Sequence, residues 1–197
     1  MKKYFLFITF LNLLHVVEGN SQSAKQLYIY RDDSQMFQYP WQPTLRIPNG
    51  DGIYFQSNWN SAPYQTSTCI RLGYKAEDAK QGFAGIHWIS NPGINIYKSL
   101  GVTPGKGKLY LTFWAKGKDG GEILQYKFGG MGSIPFPTGG EKKLQKDLWE
   151  QIRLDISTED LSDVSASVLF MISTLKNQGR PVIWAFIDEI MIEYSDK

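Results

Sequence analysis

Period-two alternation restricts this fold more than any other feature of the chain. In residues 108–116, Leu109, Leu111, Phe113 and Ala115 take one set of alternate positions; Tyr110, Thr112, Trp114 and Lys116 take the other. Successive side chains of a strand point to opposite faces, so the pattern predicts a strand with one buried face. Residues 123–128 repeat it, with Leu124, Tyr126 and Phe128 on one side and Ile123, Gln125 and Lys127 on the other. The glycine-bearing residues 117–121 between them predict a hairpin turn. Residues 151–156 alternate again, and further strands are predicted at 26–31, 68–74, 81–89, 165–173 and 182–194. Residues 40–63 read as a long loop or a loosely paired region. Residues 157–164 have room for one helical turn capped by Ser157 or Thr158. About eight or nine strands at this spacing, punctuated by Gly, Pro, Asn and Asp, predict an all-β fold: a jelly-roll β-sandwich of two antiparallel sheets.

The length of 197 residues fits one such domain. Residues 1–23 have the layout of a secretory signal peptide: Lys2 and Lys3, an apolar run from Tyr4 to Val17, then small and polar residues. That run is shorter than the roughly 20 apolar residues a spanning helix needs. The sandwich is therefore assigned to 24–197, with no transmembrane segment after cleavage, in a secreted, periplasmic or cell-surface monomer. Cys69 is the single cysteine, so no internal disulfide can form. Export without disulfides points to a bacterial protein. The formal net charge of +2, with no long basic run, excludes the electrostatic footprint of a nucleic-acid binder.

Catalytic constellations are sparse. His87 is the one histidine outside the leader, and no nucleophile–His–carboxylate set or metal-binding motif can be assembled around it. A ligand-binding surface is better supported. Aromatic rings stack on the C–H faces of sugars while polar side chains bond the hydroxyls. The outward phase collects Trp114, Tyr110, His87, Arg71, Lys116, Gln125 and Arg153. The loop aromatics Trp59, Trp41 and Tyr64 form a second candidate patch. The plain alternative is that loops cover the sheet face, with Trp114 packed beneath them and the other two tryptophans anchoring loops.

Six segments in order carry a likeness: Gln81-Gly-Phe-Ala-Gly-Ile-His-Trp88, Leu111-Thr-Phe-Trp-Ala-Lys-Gly117, Gly120-Gly-Glu-Ile-Leu-Gln-Tyr-Lys-Phe-Gly-Gly130, Trp149-Glu-Gln-Ile-Arg-Leu-Asp-Ile156, Asp160-Leu-Ser162 and Phe186-Ile-Asp-Glu-Ile190. In this arrangement the chain resembles bacterial carbohydrate-binding-module jelly rolls of the galactose-binding-like class. The resemblance implies a non-catalytic domain whose partner is a polysaccharide or other glycan. It also implies a structural calcium ion between the terminal strands, held by Asp32 or Asp33 and by Asp188, with backbone carbonyls completing a shell of about six to eight oxygens. Two further readings stand beside it. A jelly-roll polysaccharide lyase could use Arg71, His87, Lys116 and Arg153, whereas a glycoside hydrolase would need two carboxylates about 5 to 10 Å apart. A surface protein-interaction domain would instead present an apolar patch.

Overall fold

A computed structural model describes residues 25–196. The signal-peptide reading of residues 1–23 lies outside them. Eleven strands are described: β1 Gln26–Tyr30, β2 Gln42–Ile47, β3 Ile53–Trp59, β4 Cys69–Lys75, β5 Phe83–Ile94, β6 Lys108–Gly117, β7 Ile123–Phe128, β8 Thr138–Lys143, β9 Glu150–Asp155, β10 Val164–Ser173 and β11 Val182–Ser195. The first sheet has the order β3-β4-β11-β6-β9, with β1 also paired to β11. The second has the order β2-β5-β10-β7-β8. Every strand pairing is antiparallel. The protein is an all-β jelly-roll sandwich, as the alternation predicts.

The core forms where the inward phases of the two sheets meet. Phe113 on β6 and Phe170 on β10 meet edge to face with ring centres 4.9 Å apart. Trp88 on β5 packs edge-on against the same Phe170 at 5.6 Å, and Phe55 of β3 against Trp88 at 5.7 Å. Edge-to-face pairs suit the ring quadrupole, so this aromatic chain ties the layers together at about 0.5–1.5 kcal/mol per contact beyond the area it buries.

Three expectations differ from the structure, and one strand is added. β6 and β7 are not a hairpin. β6 pairs with β11 and β9, whereas β7 pairs with β10 and β8 in the other sheet. Gly120 and Gly121, at φ +85° and +84°, carry the chain over the end of the sandwich instead of reversing it within one sheet. Residues 40–63 contain two ordered strands, β2 and β3. β8, with the sequence TGGEKK, has no apolar alternation and goes unseen in the sequence. The short α-helix is α1, Ile96–Leu100, capped by the Asn95 side chain and ended by Gly101 at φ +60°, whereas residues 157–163 form turns and Val164 already begins β10.

Alternation also fails once in β11. Glu189 has φ +49°, and the register to β6 shifts between Asp188 and Met191. This bulge places Asp188 and Glu189 together outside the core, while Ile187, Ile190 and Ile192 all lie in it.

Candidate ligand-binding face

The outer face of the first sheet carries a row of aromatic and cationic side chains. On β11, Ile183, Ala185 and Ile187 point inward, which turns Trp184 and Phe186 outward. Trp184 lies across from Gly73 on β4 and Phe186 across from Arg71. A Cβ built on Gly73 would fall 2.2 Å from the Trp184 ring. The missing side chain therefore lets the indole lie down against the strand. The Arg71 guanidinium carbon is 3.8 Å from the centre of that ring and 4.4 Å from the centre of Trp59. Tyr54 flanks Trp184 at 6.3 Å, and Trp59 flanks Phe186 at 6.2 Å. Trp59, Arg71, Trp184 and Phe186 are half-buried, and Tyr54 is 46% exposed, so this part of the face meets solvent.

A loop covers the other end of the row. Tyr64 stacks on Trp114 at 3.9 Å with 19° between the rings. Lys116 is buried and donates from Nζ to the Ala62 carbonyl at 3.0 Å; it sits 4.7 Å from the Trp149 ring centre. Asp188, fully enclosed, accepts the Tyr64 amide at Oδ2 (2.8 Å) and the Glu189 amide at Oδ1 (2.9 Å). Burial pushes its carboxyl up to about 6, against the pull of those two amides. Further along β6, Arg153 stacks on Tyr110 at 3.5 Å. Gln151 faces outward on β9 opposite Trp114 and is exposed.

The first sheet thus brings together Arg71, Tyr110, Trp114, Lys116, Arg153 and Trp59, the last on a strand rather than in a loop. It does not gather all the residues expected there. His87 on β5 and Gln125 on β7 belong to the second sheet, so their outward direction is the opposite side of the sandwich. His87 is 5% exposed; its ring bonds the Gly129 backbone, and its Nε2 has no hydrogen-bond partner among the described residues. Burial lowers its pKa to about 4, so the imidazole is neutral at pH 7. The set Arg71, His87, Lys116 and Arg153 considered for a lyase does not converge. Trp41 is fully buried, with its indole N–H donating to the Val164 carbonyl at 2.9 Å, and it has no surface to offer a ligand.

Trp184, Phe186, Trp149 and Tyr54 are aromatic residues of this face that alternation does not single out. The signal was present for two of them: Trp184 and Phe186 occupy alternate positions between small or aliphatic residues of β11. Their apolar character merged them into what looked like a uniformly buried strand.

The carboxylates assigned to calcium are each held by protein donors. Asp32 accepts from the amide and hydroxyl of Ser34 at Oδ1, and from those of Ser67 at Oδ2. Burial works against its charge, but these four bonds outweigh it and hold the carboxyl at about 2. Asp33 accepts from the Ser57 hydroxyl. Among the described residues, no three His, Cys, Asp or Glu side chains gather as a metal site would require. Five of the six oxygens of Asp32, Asp33 and Asp188 accept protein hydrogen bonds, so the carboxylates keep their places through protein donors alone.

No sequence-family model matches the chain, and no curated protein does. Solved structures do match. A family 30 carbohydrate-binding module of a cellulosomal cellulase from Clostridium thermocellum is 13% identical, with a TM-score of 0.57 over 87% of this chain and 99% of that one. A second family 30 module is 14% identical, with a TM-score of 0.55 over 87% and 89%. An exo-beta-agarase gives a TM-score of 0.55 at 7% identity, covering 86% of this chain and 26% of the agarase. The structural neighbours thus include carbohydrate-binding modules with the same two-sheet sandwich, and at this identity the likeness is one of fold.

Proposed function

We propose that this chain is an exported, non-catalytic domain that binds polysaccharide across the outer face of its first sheet. The observation that carries this reading is the Trp184 indole, laid against the strand by Gly73, with Arg71 and Trp59 beside it and Gln56 exposed on the neighbouring strand. A shallow row of rings at sheet level suits the C–H faces of a glycan chain, and guanidinium and amide groups at its margin suit the hydroxyls. The carbohydrate-binding modules among its structural neighbours support the same reading.

Affinity electrophoresis through gels cast with a panel of plant and algal polysaccharides tests it. The expected result is retardation of the wild type by at least one polysaccharide, with loss on Trp59→Ala and Trp184→Ala. Roughly 50 Å² of apolar ring surface covered by a sugar, at about 25 cal/mol/Å², is worth roughly tenfold in affinity per ring. Retention that is unaltered in both variants would remove the face as the binding site. Unretarded wild type across the panel would remove the function.

A further inference from the structure

We infer that a cleft at one end of the sandwich binds an acidic group carried on the glycan, a sulfate ester or a uronate carboxylate. This rests on the polysaccharide-binding reading and narrows it to charged polysaccharides. The cleft lies between the turn joining β6 to β7 and the turn joining β10 to β11, has a volume of about 520 Å³, and is lined by Lys143, Lys176, Arg180, Asn177, Gln178 and the Gly120–Gly121 turn. No acidic side chain lines it.

Its cations stand on a rigid frame. The Asn177 side chain accepts the Ile123 amide at 2.8 Å and donates to the carbonyls of Ile123 (3.1 Å) and Ser173 (3.0 Å), which locks one turn to the start of β7. Arg180 Nη2 donates to the Gly120 carbonyl at 3.0 Å, which joins the two turns. A Cβ on Gly121 would lie 2.9 Å from that Nη2, so glycine there lets the guanidinium settle against the backbone.

The acids nearby leave positive charge in excess. Lys176 pairs with Glu141 at 2.8 Å. Glu122 is buried; its Oε1 accepts the Asp119 amide at 2.7 Å and lies 3.9 Å from Arg180 Nη1. Lys143 has no ion-pair partner among the described residues. Set against those two acids, the three cations leave one positive charge in excess, and an oxyanion with several acceptor atoms would balance it through charge-assisted hydrogen bonds. A neutral sugar would not.

The cleft and the aromatic row are linked through the backbone: Arg180 precedes Trp184 by four residues, and the Lys118 amide donates to the Trp184 carbonyl at 3.2 Å. A glycan that lies on Trp184 and continues over this end of the sandwich would carry an acidic substituent toward the lysines.

The test uses a Lys143→Gln/Lys176→Gln double variant, leaving Arg180 in place because it holds the turns together. Amide shifts of ¹⁵N-labelled wild type and variant are followed on titration with inorganic sulfate and with sodium galacturonate at constant ionic strength. The same proteins are run in gels of carrageenan, polygalacturonate and neutral agarose. We expect shifts centred on Gly120, Gly121, Asn177 and Gln178 in the wild type alone, and about tenfold weaker retention of the variant in the charged gels only. A response to sulfate or to galacturonate identifies which acidic group the cleft takes. Absence of those shifts with both probes overturns the inference, as does equal retention of wild type and variant in both charged gels. Trp184→Ala reports separately: if it changes nothing while the lysine variant does, the aromatic face fails and the cleft stands.

Discussion

Gly73→Ala is the sharpest test of the aromatic face, because it alters the platform without removing an aromatic ring. The new methyl group would start 2.2 Å from the Trp184 ring. Ordinary contact between carbons needs roughly 3.5 Å, so the indole must retreat by about 1 Å or leave the strand. A radial gap of that size forfeits about a quarter to a half of a dispersion contact. The same movement disturbs the Arg71 stack, at 3.8 Å, which is worth about 0.5–1 kcal/mol at a partly exposed site. Together these weaken polysaccharide binding by roughly three- to tenfold. The cost to folding is small, since Trp184 sits outside the core and alanine suits a strand better than glycine by about 0.5–1 kcal/mol. Affinity electrophoresis reads the binding, urea denaturation the stability, and tryptophan fluorescence the displacement of the indole. Both substitutions act through one ring, so the Gly73→Ala/Trp184→Ala variant should bind no more weakly than Trp184→Ala alone. Wild-type affinity in Gly73→Ala, with the indole demonstrably moved, would refute the platform. A stability loss above about 3 kcal/mol would show instead that Trp184 is a structural element of the sheet.

Two buried groups give opposing pH dependences. The folded-state pKa of His87 is lowered from 6.5 to about 4, so its contribution to stability is lost as pH falls through that window, by roughly 3 kcal/mol in full. The folded-state pKa of Asp188 is raised from 3.8 to about 6, so stability is gained as pH falls through nearly the same window, by a similar amount. Burial also raises the Glu189 carboxyl, which adds to the gain from Asp188. Urea midpoints of the wild type should therefore change little or rise slightly from pH 6.5 to 4, whereas a folded His87→Phe variant should gain clearly more stability on acidification; a variant that tracks the wild type would show that the imidazole is not buried and neutral. Excess EDTA should leave the melting temperature unchanged, because Asp32 and Asp188 are satisfied by protein donors; a clear drop would restore a calcium ion between the terminal strands.

Much of this protein is legible in its sequence because alternation is a local property. Leu109, Leu111, Phe113 and Ala115 declare the buried side of β6 through the pleat alone, and the core holds all four. The same pleat assigns Tyr110, Trp114, Lys116, Arg71 and Arg153 to an outer surface. Where residues break the pattern, alternation does not reveal them. β8 carries no apolar alternates, and Trp184 and Phe186 were hidden among aliphatic neighbours.

Which outer surface a strand contributes to is decided by pairing between distant segments. His87 and Trp114 share the outward phase yet lie on opposite sides of the sandwich, because β5 bonds to β2 and β10 while β6 bonds to β11 and β9. Nothing within either strand encodes that choice; backbone hydrogen bonds across tens of residues do. The sandwich, and the inner and outer sides of its strands, thus follow from local pattern. That Trp59, Arg71, Trp184 and Phe186, drawn from three strands, meet on one face and that Trp41 is closed inside follows from long-range pairing.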